Sequence, residues 1–260
     1  MKMAIRGVAV IALSAALGAT LAQADVIGGA NVRATFKGWL TPRALPRAEL
    51  VPVALNLRGT LGTTDGRLPP ALRRVTIAIN RNGKISTVGL PRCRRNAVLA
   101  ATTAQALAKC RSALIGSGRF EAHIEIATQA PFPARGRMLA FNSVQQGRRV
   151  ILAHIFGTEP VPTSQVLTLT FRRPTGRTFG TMMSVTMPTV ADDWGHVESF
   201  RLTLHRRYEH RGKIRSLIEA SCPAPRGFGS AVFSAAKGTY YLGDGRVINR
   251  TLVGRCKVRD

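Results

Sequence analysis

Hydrophobic residues recur at every second position along most of this chain. In RVTIAIN (residues 74–80), Val75, Ile77 and Ile79 alternate with polar or small residues. A period of two is typical of a β-strand that buries one face. The same alternation is found in VPVALNL (51–57), RFEAHIEIA (119–127), VLTLTF (166–171) and SFRLTLHRRY (199–208). VILAHIFG (150–157) is almost continuously apolar, which favours a strand in the centre of a sheet.

About ten to thirteen short strands follow from this pattern, separated by clusters of Gly, Pro, Asn and Asp. The stretch TYYLGDGRVINRTL predicts a hairpin around Asp244-Gly245, because Asp-Gly suits the tight turns that join antiparallel strands. The sequence therefore predicts an all-β fold. We expect an antiparallel β-sandwich, either Ig-like or two-lobed, with one or two short helices.

A division of the chain is predicted at ATQAPFPARGRM, where Pro131 and Pro133 stand close together. Proline disfavours the interior of a sheet. If the protein has two lobes, they would comprise residues of about 25–130 and 131–260. One large sandwich over 25–260 is the alternative.

Four cysteines allow three disulfide pairings. A single helix over residues 94–110 would hold the sulfurs of Cys93 and Cys110 roughly 25 Å apart, too far for a bond. TTAQALAKC predicts a shorter helix instead, because Thr102 followed by Gln105 forms a capping box that begins a new helix. The preceding segment can then run back beside that helix. We favour Cys93–Cys110 and Cys222–Cys256 as two structural disulfides.

The first 24 residues predict an export signal. Lys2 and Arg6 precede the apolar run GVAVIALSAALGATL, and AQAD then supplies small residues before a cut at Asp25. The apolar run is shorter than the roughly 20 residues that cross a bilayer. We expect a secreted, extracellular protein, associated with the cell envelope, with no transmembrane segment after cleavage.

The charge of the chain is the strongest compositional signal. Its 38 Lys and Arg residues against 13 Asp and Glu give a formal net charge of +25, and removal of Lys2 and Arg6 lowers it to +23. Such a protein attracts anionic envelope polymers or surfaces, and salt weakens the attraction. Aromatic residues make up only 6% of the chain, which argues against base stacking and sequence-specific nucleic-acid recognition.

A series of short motifs links the chain to a known group. GLPRC, TTAQALAKC, IGSG, LAFN, LAHIFGTEPVP, FGT and EASCPAPRGF, followed by a last cysteine, span nearly the whole mature chain. In this order they resemble a group of secreted actinobacterial proteins with no assigned activity. The resemblance implies secretion and a β-rich fold, and it transfers no functional residue.

The densest basic stretch is LHRRYEHRGKIR (204–215), which predicts a charged hairpin. Arginine binds phosphate and carboxylate through two parallel hydrogen bonds. The predicted anion-binding residues are Arg201, Arg207, Arg211, Lys213 and Arg215. A charged hairpin that only protects an exposed strand edge is the structural alternative.

A second candidate site lies in ADDWGHVE, which contains Asp192, Asp193, His196 and Glu198. Such a loop could supply a carboxylate pair or a calcium site, although the spacing also suits an ordinary turn. Glu121, His123 and Glu125 of EAHIE share one strand face, and we interpret them as a polar outer surface. SAAK (234–237) matches the S-x-x-K of serine penicillin-binding enzymes, but it lies in a predicted strand and the partner motifs S-D-N and K-T-G do not follow, so we interpret it as a chance match. The G-x-S-x-G, H-E-x-x-H and phosphate-loop patterns are missing, and we expect no metal, no cofactor and no catalysis.

The sequence therefore predicts a secreted, disulfide-stabilised, strongly basic β-protein. We expect it to associate electrostatically with anionic envelope polymers. The alternative is a secreted hydrolase of a cell-wall polymer or ester that uses the Asp192, Asp193 and His196 loop. A passive structural component of the envelope is a third hypothesis.

Overall fold

The computed structural model describes residues 26–28, 31–126, 129–159, 162–190 and 193–259. The predicted export signal, residues 1–24, lies outside the described residues and stays a prediction.

Strands make up 64% of the structure and helices 7%, which confirms the predicted β-rich fold. The strands are β1 (Val26–Gly28), β2 (Val32–Thr41), β3 (Ala44–Leu45), β4 (Val51–Pro52), β5 (Ala54–Thr63), β6 (Leu72–Asn80), β7 (Gly83–Ile85), β8 (Leu114–Ile126), β9 (Gln129–Gln145), β10 (Arg148–Glu159), β11 (Thr163–Arg172), β12 (Phe179–Thr186), β13 (Thr189–Val190), β14 (Asp193–Trp194), β15 (His196–Leu204), β16 (Arg207–His210), β17 (Lys213–Ser216), β18 (Ile218–Ala220), β19 (Ser230–Leu242) and β20 (Val247–Val258). The helices are α1 (Arg95–Val98) and α2 (Thr103–Cys110), followed by a 3₁₀ turn, Arg111–Ala113.

Thirteen of the described strands form one large sheet, in the order β1-β2-β5-β15-β8-β9-β10-β11-β12-β6-β19-β20-β3. Its neighbouring strands run antiparallel except for β20 and β3. The sheet curls, so that β2 and β20, which stand near opposite ends of this order, pack through their side chains. A Cβ added at Gly38 of β2 would lie 3.1 Å from Cδ2 of Leu252 in β20.

The predicted division near residue 130 falls inside β9, a strand that includes Pro131 and Pro133 and is paired with β8 along most of its length. Strands from the two segments also alternate elsewhere, since β6 lies between β12 and β19. The two lobes stay a prediction. If they exist, strands of one lobe pair with strands of the other.

The inner face of the curl carries the core, because alternate residues of each strand point inward. Buried residues from distant strands meet there, among them Val32, Leu61, Val75, Val197 and Ile248. A second cluster joins Phe36 and Leu57 to Ala236 and Leu252. Smaller sheets pack at the margins: β13-β14, β16-β17 and β4-β18-β7.

The outer face is covered at one place by α1 and α2. These helices pack on Leu139, Phe141, Leu152 and Val166, which belong to the outer side of β9, β10 and β11. This explains the continuous apolar run of β10, because both of its faces are buried. His154 lies under the cover, where Nε2 is 2.8 Å from the carbonyl oxygen of Ala101.

Both predicted disulfides are confirmed. Cys93–Cys110 closes the helical cover with a Cα–Cα distance of 5.4 Å, and Cys222–Cys256 joins the segment after β18 to β20 at 5.6 Å. The predicted capping box is present as well, since Gln105 N donates to Thr102 Oγ1 and Thr102 N donates to Gln105 Oε1. The helix therefore begins at the predicted place, and the chain before it can return Cys93 to Cys110.

Candidate anion-binding surface

Five cationic side chains lie directly opposite one another on five adjacent strands. Lys37 of β2 is paired with Arg58 of β5, and Arg58 with Arg201 of β15. Arg201 is in turn paired with Arg119 of β8, and Arg119 with Arg137 of β9. We call these five residues the cationic row.

All five members of the row lie on the outer face of the sheet. Paired residues share a face, and the residues before and after Arg58, for example, are the inward-facing Leu57 and Gly59. The four arginines are exposed and Lys37 is partly exposed. With strands about 4.8 Å apart, the row extends over roughly 19 Å across the strands.

The positive charges of the row are not ion-paired in the described part of the structure. No member of it forms an ion pair with a carboxylate there. Like charges that stand directly opposite in a sheet repel and destabilise the pair. Four such pairs in succession therefore cost stability that an anion along the row would restore.

On either side of the cationic row, outward-facing polar side chains form hydrogen bonds with one another. On one side, Thr203 Oγ1 donates to Asn56 Oδ1 at 2.9 Å. On the other side, Ser199 Oγ donates to Glu121 Oε2 at 2.8 Å, and Glu121 stands opposite Arg135. The carboxylate of Glu121 thus has a hydrogen-bond partner beside the cationic row. The cationic row is bordered by hydrogen-bonded groups and stays open to a ligand.

Glycine allows the close approach of β8 and β15 at the centre of the row. A Cβ at Gly118 would collide with the backbone carbonyl oxygen of Arg201, and one at Gly59 would collide with the ring of Phe200. The two positions lie beside Arg119 and Arg58. The arginines are therefore positioned by strand contacts that a larger residue would disturb.

The predicted anion-binding residues do not form one group. Arg201 belongs to the cationic row, whereas Arg207, Arg211, Lys213 and Arg215 lie on the separate hairpin β16–β17. Within the hairpin, the pairs Tyr208–Arg215 and His210–Lys213 share one face. Arg207 lies on the other face with Glu209 and Ile214. The basic residues of the hairpin therefore lie on two different faces, and Glu209 shares a face with Arg207.

The hairpin is docked on the loop that follows β7. Tyr208 Oη donates to the carbonyl oxygen of Val88 at 2.7 Å, and the ring of His210 fills the space where a side chain of Gly89 would lie. Partial burial raises the pKa of Tyr208 above its usual value of 10.0, against a smaller opposing effect of a hydrogen bond with Ser86. The face with Tyr208 and His210 is thus partly used for packing.

The acidic loop is only partly described. Asp192 lies outside the described residues, as does the side chain of Asp193. The backbone of Asp193, in β14, pairs with Val190 of β13. His196 Nδ1 is 2.6 Å from the carbonyl oxygen of Pro69. Glu198 Oε1 is 3.0 Å from His123 Nδ1, a distance that suits an ion pair although the ring N–H is not aligned for a hydrogen bond. His196 and Glu198 therefore contact structural partners.

Metal sites and membrane-spanning helices would be recognisable in the residues that the structure describes. No group of three or more His, Cys, Asp or Glu side chains in that part of the chain is arranged to hold a metal ion. In the same residues, no helix has the length and apolar character to span a membrane.

Comparison with known proteins finds no matching family model, no matching curated protein and no matching solved structure.

Sequence reasoning missed four of the five members of the row: Lys37, Arg58, Arg119 and Arg137. Each stands at a polar position of an alternating pattern, and that pattern predicts an outward side chain. The missing information was the register between paired strands whose row members are up to 143 residues apart in the chain, the separation of Arg58 and Arg201. Five isolated basic residues in the sequence give no sign that they meet.

Proposed function

We propose that this protein binds a linear anionic polymer of the cell envelope along the cationic row and catalyses no reaction there. The observation that supports this most directly is the uninterrupted register of Lys37, Arg58, Arg201, Arg119 and Arg137 on one open face.

A linear ligand fits the row better than a small one. One phosphate or carboxylate would contact two neighbouring cations and leave the others in mutual repulsion. A polymer with an anionic group in each repeat could run across the strands and contact all five. The bound polymer would then relieve each repulsive pair, so that binding also stabilises the fold.

The chemistry of the row favours phosphate or carboxylate groups. Four of its five members are arginines, whose planar guanidinium forms two hydrogen bonds with such groups. Two large aromatic side chains of the described residues stand near the row: Trp39, 40% exposed, is opposite Asn56 in the neighbouring row, and Phe156 of β10 is paired with Arg137 at the far end. Two rings at opposite ends of the row do not form a stacking platform for successive bases. We therefore propose an acidic envelope polymer rather than a nucleic acid.

Export is part of the proposal. The pattern of residues 1–24, two disulfides and the resemblance to secreted proteins support it. We also propose that the two halves of the curled sheet face each other as the layers of a sandwich. The contacts of Phe36 and Leu57 with Ala236 and Leu252 across the curl support that arrangement.

The experiment that tests the proposal is a pull-down of mature protein on purified cell walls, with and without their anionic polymers, over a range of NaCl concentration. We expect retention only on walls that carry the polymers, and release as salt rises. For a single-stranded polyanion with five contacts, affinity should fall about 100-fold between about 50 and 200 mM salt. Equal weak retention on both preparations would contradict the proposal.

The hydrolase alternative is tested on the same walls. We expect His196→Ala to leave both retention and the wall polymers unchanged. Release of soluble wall fragments by wild-type protein and its loss in His196→Ala would instead support catalysis at the acidic loop.

A further inference from the structure

Three cavities lie inside the curl of the main sheet. The first has a volume of about 110 Å³ and is lined by residues such as Leu40, Ile79, Ile85 and Phe233. The central cavity and the third cavity each have about 90 Å³. An engineered apolar cavity of roughly 150 Å³ stays dry and binds benzene. Each cavity here is smaller, and only the three together, about 290 Å³, exceed that volume.

The cavities follow one another through the interior. The first and the central cavity share Leu57 and Ile77 in their walls. The central and the third cavity share Phe120, Leu167, Met187 and Val197. The shared side chains show that neighbouring cavities adjoin, and rotamer changes at these side chains would join them into one elongated site.

Inward-facing side chains in the middle of the strands are incompletely buried. Ile77, Phe120, Phe200 and Val185 point into the curl, yet each keeps part of its surface accessible. Protein interiors are normally packed as densely as organic crystals. Side chains that border an unfilled space lose dispersion contacts on that side. An apolar ligand would restore them.

The walls also suit a ligand of variable shape. Met183 and Met187 line the central cavity, together with aliphatic and aromatic side chains. Methionine is flexible and adapts to irregular apolar surfaces. The centre of the curl can therefore accept a flexible hydrocarbon.

Among the lining residues, cationic side chains occur only at the first and third cavities, whereas the central cavity has Thr60, Glu198 and Tyr240 beside its apolar side chains. Lys84, Asn82 and Arg255 border the first cavity where it reaches the surface. Arg135 and Gln165 border the third cavity. Ligand pockets commonly combine an apolar interior with a few polar groups that fix orientation. An apolar chain with an anionic end matches this distribution.

We propose that the interior of the curled sheet binds the hydrocarbon chain of a fatty acid, with its carboxylate at the Lys84 and Arg255 end. This site is separate from the cationic row and does not depend on the proposed polymer binding.

The test is a calorimetric titration of wild-type protein with fatty acids of increasing chain length. We expect each added methylene to strengthen binding roughly threefold to fourfold until the cavities are filled, and then no further gain. The primary alcohol of the same length should compete with the acid. Affinity that is independent of chain length, or an alcohol that does not compete, would overturn the proposal.

Val185→Phe fills the central cavity and should weaken binding of the longest acid at least tenfold. Val253→Phe is the matched control, because Val253 is on β20 with 39% of its surface exposed and is not part of the walls of the three cavities. We expect it to bind as wild type does. An equal loss in both variants would contradict the site. If Val185→Phe does not fold, the chain-length series and the alcohol competition still decide.

A variant that removes charge from the cationic row distinguishes the fatty-acid proposal from the polymer proposal. The variant Arg58→Gln/Arg201→Gln/Arg119→Gln should bind the fatty acid as wild type does. Loss of fatty-acid binding in this variant would mean that the acid only adsorbs to the row, and it would overturn the interior site while leaving polymer binding intact.

Discussion

The cationic row and the β16–β17 hairpin contain similar numbers of basic residues but arrange them differently. The hairpin collects its cations from ten consecutive residues, 207–216, and then divides them between two faces. The row collects its cations from five strands and places them all on one face. High charge density in a sequence is therefore a poor guide to charge density on a folded surface. Pairing between strands decides where charges accumulate.

The largest expected difference between the two regions is in polymer binding. Arg58→Gln/Arg201→Gln/Arg119→Gln should weaken binding to linear polyphosphate about 100-fold, at roughly 1 kcal/mol for each basic residue near an anionic partner. Arg207→Gln/Lys213→Gln/Arg215→Gln removes the same charge from the hairpin and should have only a few-fold effect. Titration at low salt measures both. Equal losses would mean that net charge alone determines binding.

Glycine substitutions should separate the regions by stability. Gly118→Ala places a Cβ against the backbone of Arg201, and we expect a loss of about 2–4 kcal/mol in the free energy of unfolding. Gly212→Ala, in the hairpin turn, meets no neighbouring atom but has a φ of +69°, and should cost about 1–2 kcal/mol. Urea unfolding compares the two. A Gly118→Ala variant as stable as wild type would show that β8 and β15 do not approach closely.

Repulsion within the row should be visible as a gain in stability when it is relieved. Arg201 stands opposite two arginines, so Arg201→Gln should stabilise the free protein by roughly 0.5–1 kcal/mol at low salt. Arg207→Gln, opposite Ser216, should change stability little. Thermal melting at low and high salt checks both. The gain in Arg201→Gln should shrink as salt rises, and a gain that is insensitive to salt would contradict repulsion as its cause.

The smallest expected effect is a pH dependence specific to the hairpin. Burial raises the pKa of Tyr208 above 10.0, so its neutral form stabilises the docked hairpin fully below pH 10. That contribution is lost as pH rises through the raised pKa. The melting temperature of wild type should therefore approach that of Tyr208→Phe in alkaline solution. Arg201→Gln should keep the wild-type dependence, and an unchanged gap between wild type and Tyr208→Phe would contradict the docking role of Tyr208.

Local features of the fold were predictable from the sequence because their causes are local. The capping box at Thr102 and Gln105 and the Asp244-Gly245 hairpin each depend on a few neighbouring residues. The pairing Cys93–Cys110 followed from the first of them. Alternation also gave the outward direction of Arg58 and Arg119.

The order of the strands could not be predicted in this way. Alternation shows which face a residue occupies but not which strand lies beside it, and β5 is paired with β15 across more than one hundred residues. The cationic row exists only through such pairings. The sequence did indicate Arg201, but it associated that residue with its neighbours in the chain, whereas its neighbours in space are Arg58 and Arg119.

The helical cover on β9, β10 and β11 has a practical consequence for recombinant production. It shields Leu139, Phe141, Leu152 and Val166, and Cys93–Cys110 closes it. In a reducing cytoplasm the thiols would stay unpaired and the cover would open more often, which exposes an apolar strip that favours aggregation. Periplasmic or refolded material, in which this bond forms, is therefore the preparation on which these measurements should be made.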